Sequence, residues 1–299
     1  MYRTDGNRVR GNDAMYELVP HIMPKRYDAS NSIKVEIDLD PIQEYIRRCR
    51  KKGISMSHMS VIIAGYLRAV SQNPYLNRFC MNKKIYARNH FCVSFVTLTP
   101  GKESDTVTKL YFNMDDTIFE VNRKVQEAIE KIQKPDAENS LDKLMATLLR
   151  VPFLVTVAVD ILKLLDHFFT LPFSVVDASP FHTSLFVTNL ASIRTNAIYP
   201  HLYEFGTTSV FVSMGQPIKR AVPNGETLAE KKIMELGIVT DERIANGHYY
   251  GRCFREVNRL FKNPELLEQP PEQVVTDPHV KPNRGHDGHG GRHGGVRIL

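Results

Sequence analysis

The spacing of hydrophobic residues changes period several times along the chain, and each change marks an element. Ile33, Val35, Ile37 and Leu39 alternate with polar residues, the pattern of a half-buried strand. Asp40-Pro41 is the predicted cap and first position of a following helix, and Gly53 after Lys51-Lys52 is its predicted stop. From Ser57 to Asn73, Met59, Ile62, Ile63, Tyr66, Leu67 and Val70 share one helical face, which Pro74 ends. Residues 79–99 read as strands, a hairpin around Asn82-Lys83-Lys84 and then a run from Phe91 to Thr99. Asp116 is the predicted cap of a helix carrying Ile118, Val121, Val125, Ile129 and Ile132, closed by Pro135. A short helix is expected at 140–150 and an apolar one within 151–176. Further strands are expected at 184–190, 209–215 and 232–240, and a last helix at 247–262.

Helices and strands alternate with no internal repeat and no linker before Pro270. One α/β domain, residues 1–268, is the simplest account. From residue 269 to 299 the chain turns rich in Pro, Gly and His with few apolar anchors, and a disordered tail is expected. His286, His289 and His293, with Asp287 and His279 nearby, resemble a loose metal-binding tract. A glycine-rich chain fixes no ligand geometry, so no specific metal site is expected there.

Composition narrows the function classes. The 299 residues are 42% hydrophobic and 24% charged, which excludes wholesale disorder. The net charge is +6, and the tail contributes one of those six, so the excess is spread over the body. No dense basic block interleaved with aromatics is present, which speaks against a nucleic-acid partner, while a mild positive field suits an anionic ligand. Cys49, Cys80, Cys92 and Cys253 form no C-x-x-C pair and sit in apolar or helical surroundings, as free thiols in a reducing compartment do. The N-terminal MYRTDGNRVRGNDAMYELVP has no apolar core of a signal peptide, so the cytoplasm is the expected location. The run Val151–Val159 is broken by Asp160, Lys163, Asp166 and His167, well short of the ~20 residues of a membrane span. Val157, Ile161, Leu164, Leu165 and Phe168 keep helical spacing, so a buried or oligomer-contact helix is expected there and no membrane role.

The residues richest in chemistry are Asp241-Glu242-Arg243-Ile244-Ala245-Asn246-Gly247, set between an apolar strand-like run and an amphipathic helix. They resemble the D-H-R-x-x-D-G signature of the dihydrolipoyl acyltransferases of 2-oxoacid dehydrogenase complexes, whose fold is shared with chloramphenicol acetyltransferase. Three blocks carry the resemblance: residues 20–77, beginning PHIMPKRYDASNSIKVEIDLD; HTSLFVTNLASI at 182–193; and VTDERIANGHYYGRCFREVNRLFKNPELL at 239–267. Their order is more persuasive than any single block. The resemblance implies a chloramphenicol acetyltransferase-like two-layer α/β sandwich with a mixed sheet, assembled as a homotrimer with sites between subunits. It implies acyl transfer with coenzyme A as substrate and no covalently bound cofactor. In the family a histidine takes the proton of a thiol, a hydroxyl on a neighbouring subunit holds the oxyanion, and the D/N position supports the site. By position these fall on Glu242, Thr188 and Asn246.

Glutamate for histidine is the departure that matters. A thiol has a pKa near ~8.5 and a free glutamate near ~4.3, a poor match for a general base unless burial raises the carboxyl. If the preceding strand stays regular, Glu242 shares a face with Met234, Leu236, Ile238 and Thr240, which would provide that burial. The opposing structural reading is an ion pair with Arg243 or another cation. His248, at the start of the following helix, is a second candidate base, although a helix N-terminus disfavours its protonated form. Thr188, mid-strand with Phe186 and Leu190, is a candidate oxyanion donor or simply a β-former. His182 reads as a structural loop histidine. About 20 residues precede the first block, too few for a lipoyl domain by the usual size of a domain. The partner is therefore expected to be acyl-CoA with a small acceptor or a lipoyl carrier in trans. The alternative is a catalytically inactive trimer that binds or scaffolds.

Overall fold

The structure, a computed structural model, describes residues 3–98, 105–132, 152–224, 227–280 and 296–298. In chain order the strands are β1 (Gly6–Arg8), β2 (Ser30–Asp38), β3 (Arg78–Met81), β4 (Lys84–Arg88), β5 (Phe91–Leu98), β6 (Asp105–Phe112), β7 (Leu185–Asn189), β8 (Val210–Met214), β9 (Ile218–Asn224), β10 (Thr227–Asp241) and β11 (Val296–Ile298). The helices are α1 (Ala14–Ile22), α2 (Leu39–Lys51), α3 (His58–Gln72), α4 (Ile118–Ile132), α5 (Pro152–Phe168), α6 (Phe173–Ala178) and α7 (Gly247–Lys262). The main sheet runs β11-β6-β5-β7-β8-β10-β2, with β9 also paired to β10. Strands β5, β7 and β8 are parallel and their neighbours antiparallel, so the sheet is mixed. A small sheet, β1-β4-β3, turns at Asn82 and Lys83, both with positive φ, the conformation a two-residue type I′ hairpin requires.

Helices α2, α3, α4 and α7 cover one face of the main sheet, and that layer boundary is the core. Val61, Ile63, Leu67 and Val70 of α3 are buried against Val93, Phe95, Leu185 and Val187 of the sheet and against Tyr250, Leu260 and Phe261 of α7. The opposite face has a smaller apolar cluster, Phe186, Phe211 and Val239 beneath Leu202. There the connection before β8 presses onto the sheet. Ser213 Oγ bonds the backbone of Ile198, and a Cβ on Gly237 would lie 2.0 Å from Ile198 O, so only glycine allows this approach.

Helix starts differ in detail from the sequence expectation. Asp38, not Asp40, caps α2, accepting from Asp40 N at 3.0 Å, because the backbone turns helical at Leu39. Thr117 rather than Asp116 opens α4 through a reciprocal box: Thr117 N donates to the Glu120 carboxylate at 2.6 Å and Glu120 N to Thr117 Oγ1 at 3.4 Å. Asp116 instead accepts from Asn113 N at 3.0 Å and pairs with Lys124. Ser57 caps α3 as a helix from Ser57 demands. The expected helix at 140–150 lies outside the described residues.

Residues 270–280, expected as the start of a disordered tail, are held down. Val275 N donates to Ser71 O at 2.8 Å, and Asp277 accepts a forked pair from Arg78 at 2.6 and 2.8 Å. Arg78 is fully buried, so its charge requires that carboxylate. Composition alone does not reveal a tail recruited to neutralise a core cation. His286, His289 and His293 lie outside the described residues.

All four cysteines are buried and free. No helix among the described residues is long and apolar enough to cross a membrane. Helix α5 is tied to the body through its polar face. Asp166 accepts from Arg3 at 2.9 Å and faces His182 Nε2 at 3.0 Å, while His182 Nδ1 meets Ser179 Oγ at 2.8 Å. Arg3 also forks onto Asp5 at 2.8 and 3.1 Å. All of these except Ser179 are buried, and His182 is the structural histidine its loop position suggested.

This cluster sets an acid limit on the fold. Burial holds the His182 ring below its ordinary 6.5 despite the pull of Asp166, so the native ring is neutral. Burial pushes Asp5 up, but the Arg3 guanidinium outweighs it and holds the carboxyl at about 2. Both groups bind fewer protons folded than unfolded. Their stability is therefore present at neutral pH and lost on acidification, His182's below 6.5 and Asp5's between 3.8 and about 2. Thermal midpoints measured from pH 7.5 to 5 are expected to fall below pH 6.5, and His182→Gln should flatten that first decline.

Candidate functional site

Strand β10 pairs with β2 from Ile233↔Asp38 to Asp241↔Ser30 and with β8 along its second half. It delivers Asp241 to the buried end of the sheet, fully enclosed. A carboxylate there needs partners, and the next residues supply them. Arg243 folds back so that its backbone N donates to Asp241 Oδ1 at 3.1 Å, its Nε to the same oxygen at 2.8 Å, and its second guanidinium nitrogen to Oδ2 at 2.7 Å. Arg26 adds a longer contact to Oδ2 at 3.6 Å and itself receives Glu204, whose carboxylate accepts from Arg26 N at 3.0 Å. The Tyr250 hydroxyl donates to Asp241 O at 2.9 Å, tying α7 to the same point. Burial acts against the charge of Arg243, but the Asp241 hydrogen bonds and charge outweigh it and raise its pKa further. Arg26, whose contact with Asp241 is longer, is lowered by burial.

This fork makes the turn that carries the rest of the signature. Strand geometry ends at Asp241, so Glu242 does not continue the buried face of Met234, Leu236, Ile238 and Thr240. It is half-buried, its N–H donates to Ala29 O at 2.8 Å, and its carboxylate accepts from Asn31 Nδ2 at 3.1 Å. The full burial expected from strand parity is absent because the chain has already turned. The ion pair expected with Arg243 is also absent, since Asp241 claims that guanidinium.

Asn246 is exposed and caps α7: its Oδ1 accepts from Tyr249 N at 2.9 Å, and its own N–H donates to Tyr16 Oη at 3.2 Å. Its place in the motif is thus explained by the helix start alone. His248 is exposed in the first turn of α7. Thr188 is half-buried on β7, level with Val96, Ser213 and Gly237 on neighbouring strands.

Glu242, Asn246 and His248 therefore share one turn, and Thr188 stands apart. Two strand spacings separate β7 from β10, and Glu242 follows Gly237 by five residues, which is on the order of 16 Å along a strand. Within one chain the two candidates do not converge. Sequence reasoning missed Asn31, which orients the carboxylate, and Arg26 with Glu204, which support the fork. Asn31 was readable only as a polar residue in an edge strand, and Arg26–Glu204 is a contact across most of the chain.

The fork generates a stability prediction. Asp241→Asn removes the nearest counter-charge from two buried guanidinium groups, Glu204 being the carboxylate that remains, and should cost about 3–5 kcal/mol in denaturant unfolding. Asn246→Ala should cost about 1 kcal/mol through the lost cap, and Asn246→Asp close to nothing.

No family model and no curated protein matches the sequence. Solved structures do match the fold. A probable dihydrolipoamide acetyltransferase from Listeria monocytogenes 4b F2365 aligns with TM-score 0.56 at 12% identity, covering 86% of this chain and 95% of that one. The dihydrolipoamide acetyltransferase of Azotobacter vinelandii, described through the catalytic roles of a serine, a histidine and an asparagine, aligns with TM-score 0.57 at 10% identity over 85% and 88%. A chloramphenicol acetyltransferase aligns with TM-score 0.51 at 10% identity over 84% and 96%. The mixed sheet with helices on one face, expected from the three sequence blocks, is therefore the fold shared by dihydrolipoamide acetyltransferase cores and chloramphenicol acetyltransferase.

Proposed function

We propose that this chain transfers acyl groups between coenzyme A and a thiol acceptor, with Glu242 as the proton acceptor and Thr188 of a neighbouring copy as the oxyanion donor. The observation that carries the reading is the geometry of the Asp241–Arg243 turn. It holds a carboxylate, oriented by Asn31, at the position where the signature of these acyltransferases has its base. The separation of Glu242 from Thr188 within one chain supports a site built between copies, as in a homotrimer.

In the forward direction the acceptor thiol gives its proton to the Glu242 carboxylate as its sulfur attacks the thioester carbonyl of acyl-CoA. The carbonyl electrons move onto oxygen, where a hydroxyl hydrogen bond stabilises the developing charge. Collapse expels the sulfur of coenzyme A, which takes the proton back from Glu242. The acceptor is a small thiol or a lipoyl group carried on another chain. Proton transfer of this kind contributes typically ~10²–10⁴ in rate. Asn246 acts by fixing the start of α7 and hence the end of the turn.

Purified protein is to be incubated with acetyl-CoA and dihydrolipoamide, and the conversion of acetyl-CoA to coenzyme A with formation of S-acetyldihydrolipoamide followed by chromatography. Glu242→Gln should lower turnover ~10²-fold or more while leaving stability within about 0.5 kcal/mol. Glu242→His should restore or exceed the original rate. Turnover unchanged in Glu242→Gln, or absent from the unaltered protein together with no heat of acyl-CoA binding, would overturn the reading.

A further inference from the structure

The buried cluster of Arg3, Asp5, Asp166 and His182 ends in a half-exposed serine. His182 joins α5 to the loop before β7 through Nε2, which meets Asp166 Oδ2 at 3.0 Å. Burial pushes Asp166 up, but the hydrogen bond and charge of His182, with Arg3 behind them, outweigh it and hold the carboxyl below its ordinary range. An ionised carboxylate only accepts, so Nε2 carries a ring proton. The native ring is neutral and has one proton to place, which leaves a lone pair on Nδ1. That lone pair meets Ser179 Oγ at 2.8 Å, so the hydroxyl is its donor. Carboxylate, imidazole and hydroxyl form one chain of hydrogen bonds with the base directed at the hydroxyl, the arrangement that activates a serine nucleophile.

The members differ in their access to solvent. Asp166 and His182 are 2% and 0% exposed, whereas Ser179 is half-buried, so a reagent meets Ser179 before the base behind it. Ser179 is also fixed through its backbone. Its N–H donates to Val175 O at 3.1 Å, and its carbonyl accepts from the buried amino group of Lys109 at 3.1 Å. A hydroxyl held in place beforehand gives up little freedom on reaction. Phe205 stands edge-on to the His182 ring with centroids 5.4 Å apart, and Phe181 packs against Phe205 at 5.9 Å. These rings give the base an apolar flank, which suits an uncharged acyl group.

We propose that Ser179, His182 and Asp166 form a second reactive site, in which the Ser179 hydroxyl takes an acyl group from an activated ester or thioester and water then removes it. Ser179 Oγ bonds to the carbonyl carbon and gives its proton to His182 Nδ1 while the carbonyl electron pair moves onto oxygen. As that pair returns, the C–O or C–S bond to the leaving group breaks, and the leaving group takes the proton from Nδ1. Water next gives a proton to Nδ1 and adds to the new ester, and Ser179 departs with that proton as the carboxylic acid is released. Asp166 positions the ring and touches no reacting atom. No residue of the Asp241–Arg243 turn takes part, so the site does not rest on the acyl-transfer reading.

Fluorophosphonate labelling and p-nitrophenyl acetate hydrolysis by the full chain test this, and neither readout involves coenzyme A. The expected results are one phosphonylated peptide, containing Ser179, and release of p-nitrophenolate. Ser179→Ala should abolish the label and the hydrolysis. His182→Gln should slow both ~10²-fold or more, the scale of a lost general base. Should that variant fail to fold, which circular dichroism would show, Ser179→Cys carries the test. The introduced thiol, beside the same imidazole, should react with iodoacetamide at pH 6 on the order of tenfold or more faster than cysteine in solution, and the four native thiols are buried. No label on the unaltered protein, or a label on another residue that survives Ser179→Ala, overturns the proposal. So does an unchanged labelling rate in folded His182→Gln, or an introduced thiol no faster than free cysteine, either of which would leave the ring as a structural link alone.

Discussion

Asp241 has no exposure to water, and its carboxylate dictates the local chain path. Two oxygens at the end of a buried strand require charged donors, and the nearest arginine able to supply a bidentate pair is two residues ahead. Arg243 reaches back only if the backbone turns at once, so the strand ends there and Glu242 leaves the sheet's alternation. Tyr250 then ties α7 to the carbonyl of the same aspartate. Strand end, turn and helix start are thus one unit, and Glu242 is the residue of that unit left for solvent or a second copy. A buried pair of this kind is weak evidence for net stability, since desolvation opposes the attraction. Its effect is to specify one conformation among those the apolar core would tolerate.

The same logic recurs at the far side of the molecule. Arg3, Asp5, Asp166 and His182 come from the N-terminal segment, α5 and the loop before β7, and their buried polar contacts join those pieces. Arg78 with Asp277 is a third case, where a core cation recruits a late segment. In each, a long-range charge pair fixes the placement of a segment whose sequence looks unstructured or ambiguous. Helix α5 shows the consequence. Its sequence suits burial on almost any side, and Asp166 chooses which side is buried and therefore which apolar residues face outward.

Hydrophobic period made most of the core legible. The face of α3, the hairpin around Asn82-Lys83-Lys84, the strands β7 and β8 and the span of α7 follow from spacing and punctuation. What period could not reveal was structure held by backbone pairing alone. The ribbon of β9 and the first half of β10 carries Lys219, Arg220, Glu230, Lys231 and Lys232, with no apolar face to announce it. Its exposed ion pairs, such as Lys219–Glu230 at 2.7 Å, add little stability. Contacts distant in sequence were equally hidden, but for Glu242 a local contact was decisive. Parity along β10 assigned it to the buried face, but one arginine two residues later overrode parity.

The proposed role of Glu242 as proton acceptor is chemically coherent only under particular surroundings. In one chain Glu242 is half-buried and held by a neutral amide, which orients the carboxylate without adding a counter-charge that would keep it from accepting a proton. Arg243, the nearest cation in sequence, is consumed by Asp241, so the fork that shapes the turn also removes the competitor for Glu242. Desolvation is the remaining requirement for a carboxyl to take hydrogen from sulfur, and a half-exposed turn does not supply it alone. A second copy closing over the turn would supply both the missing burial and a facing hydroxyl. Chemistry at Glu242 therefore requires assembly of the site between copies, because the same surface must supply both the burial and the hydroxyl.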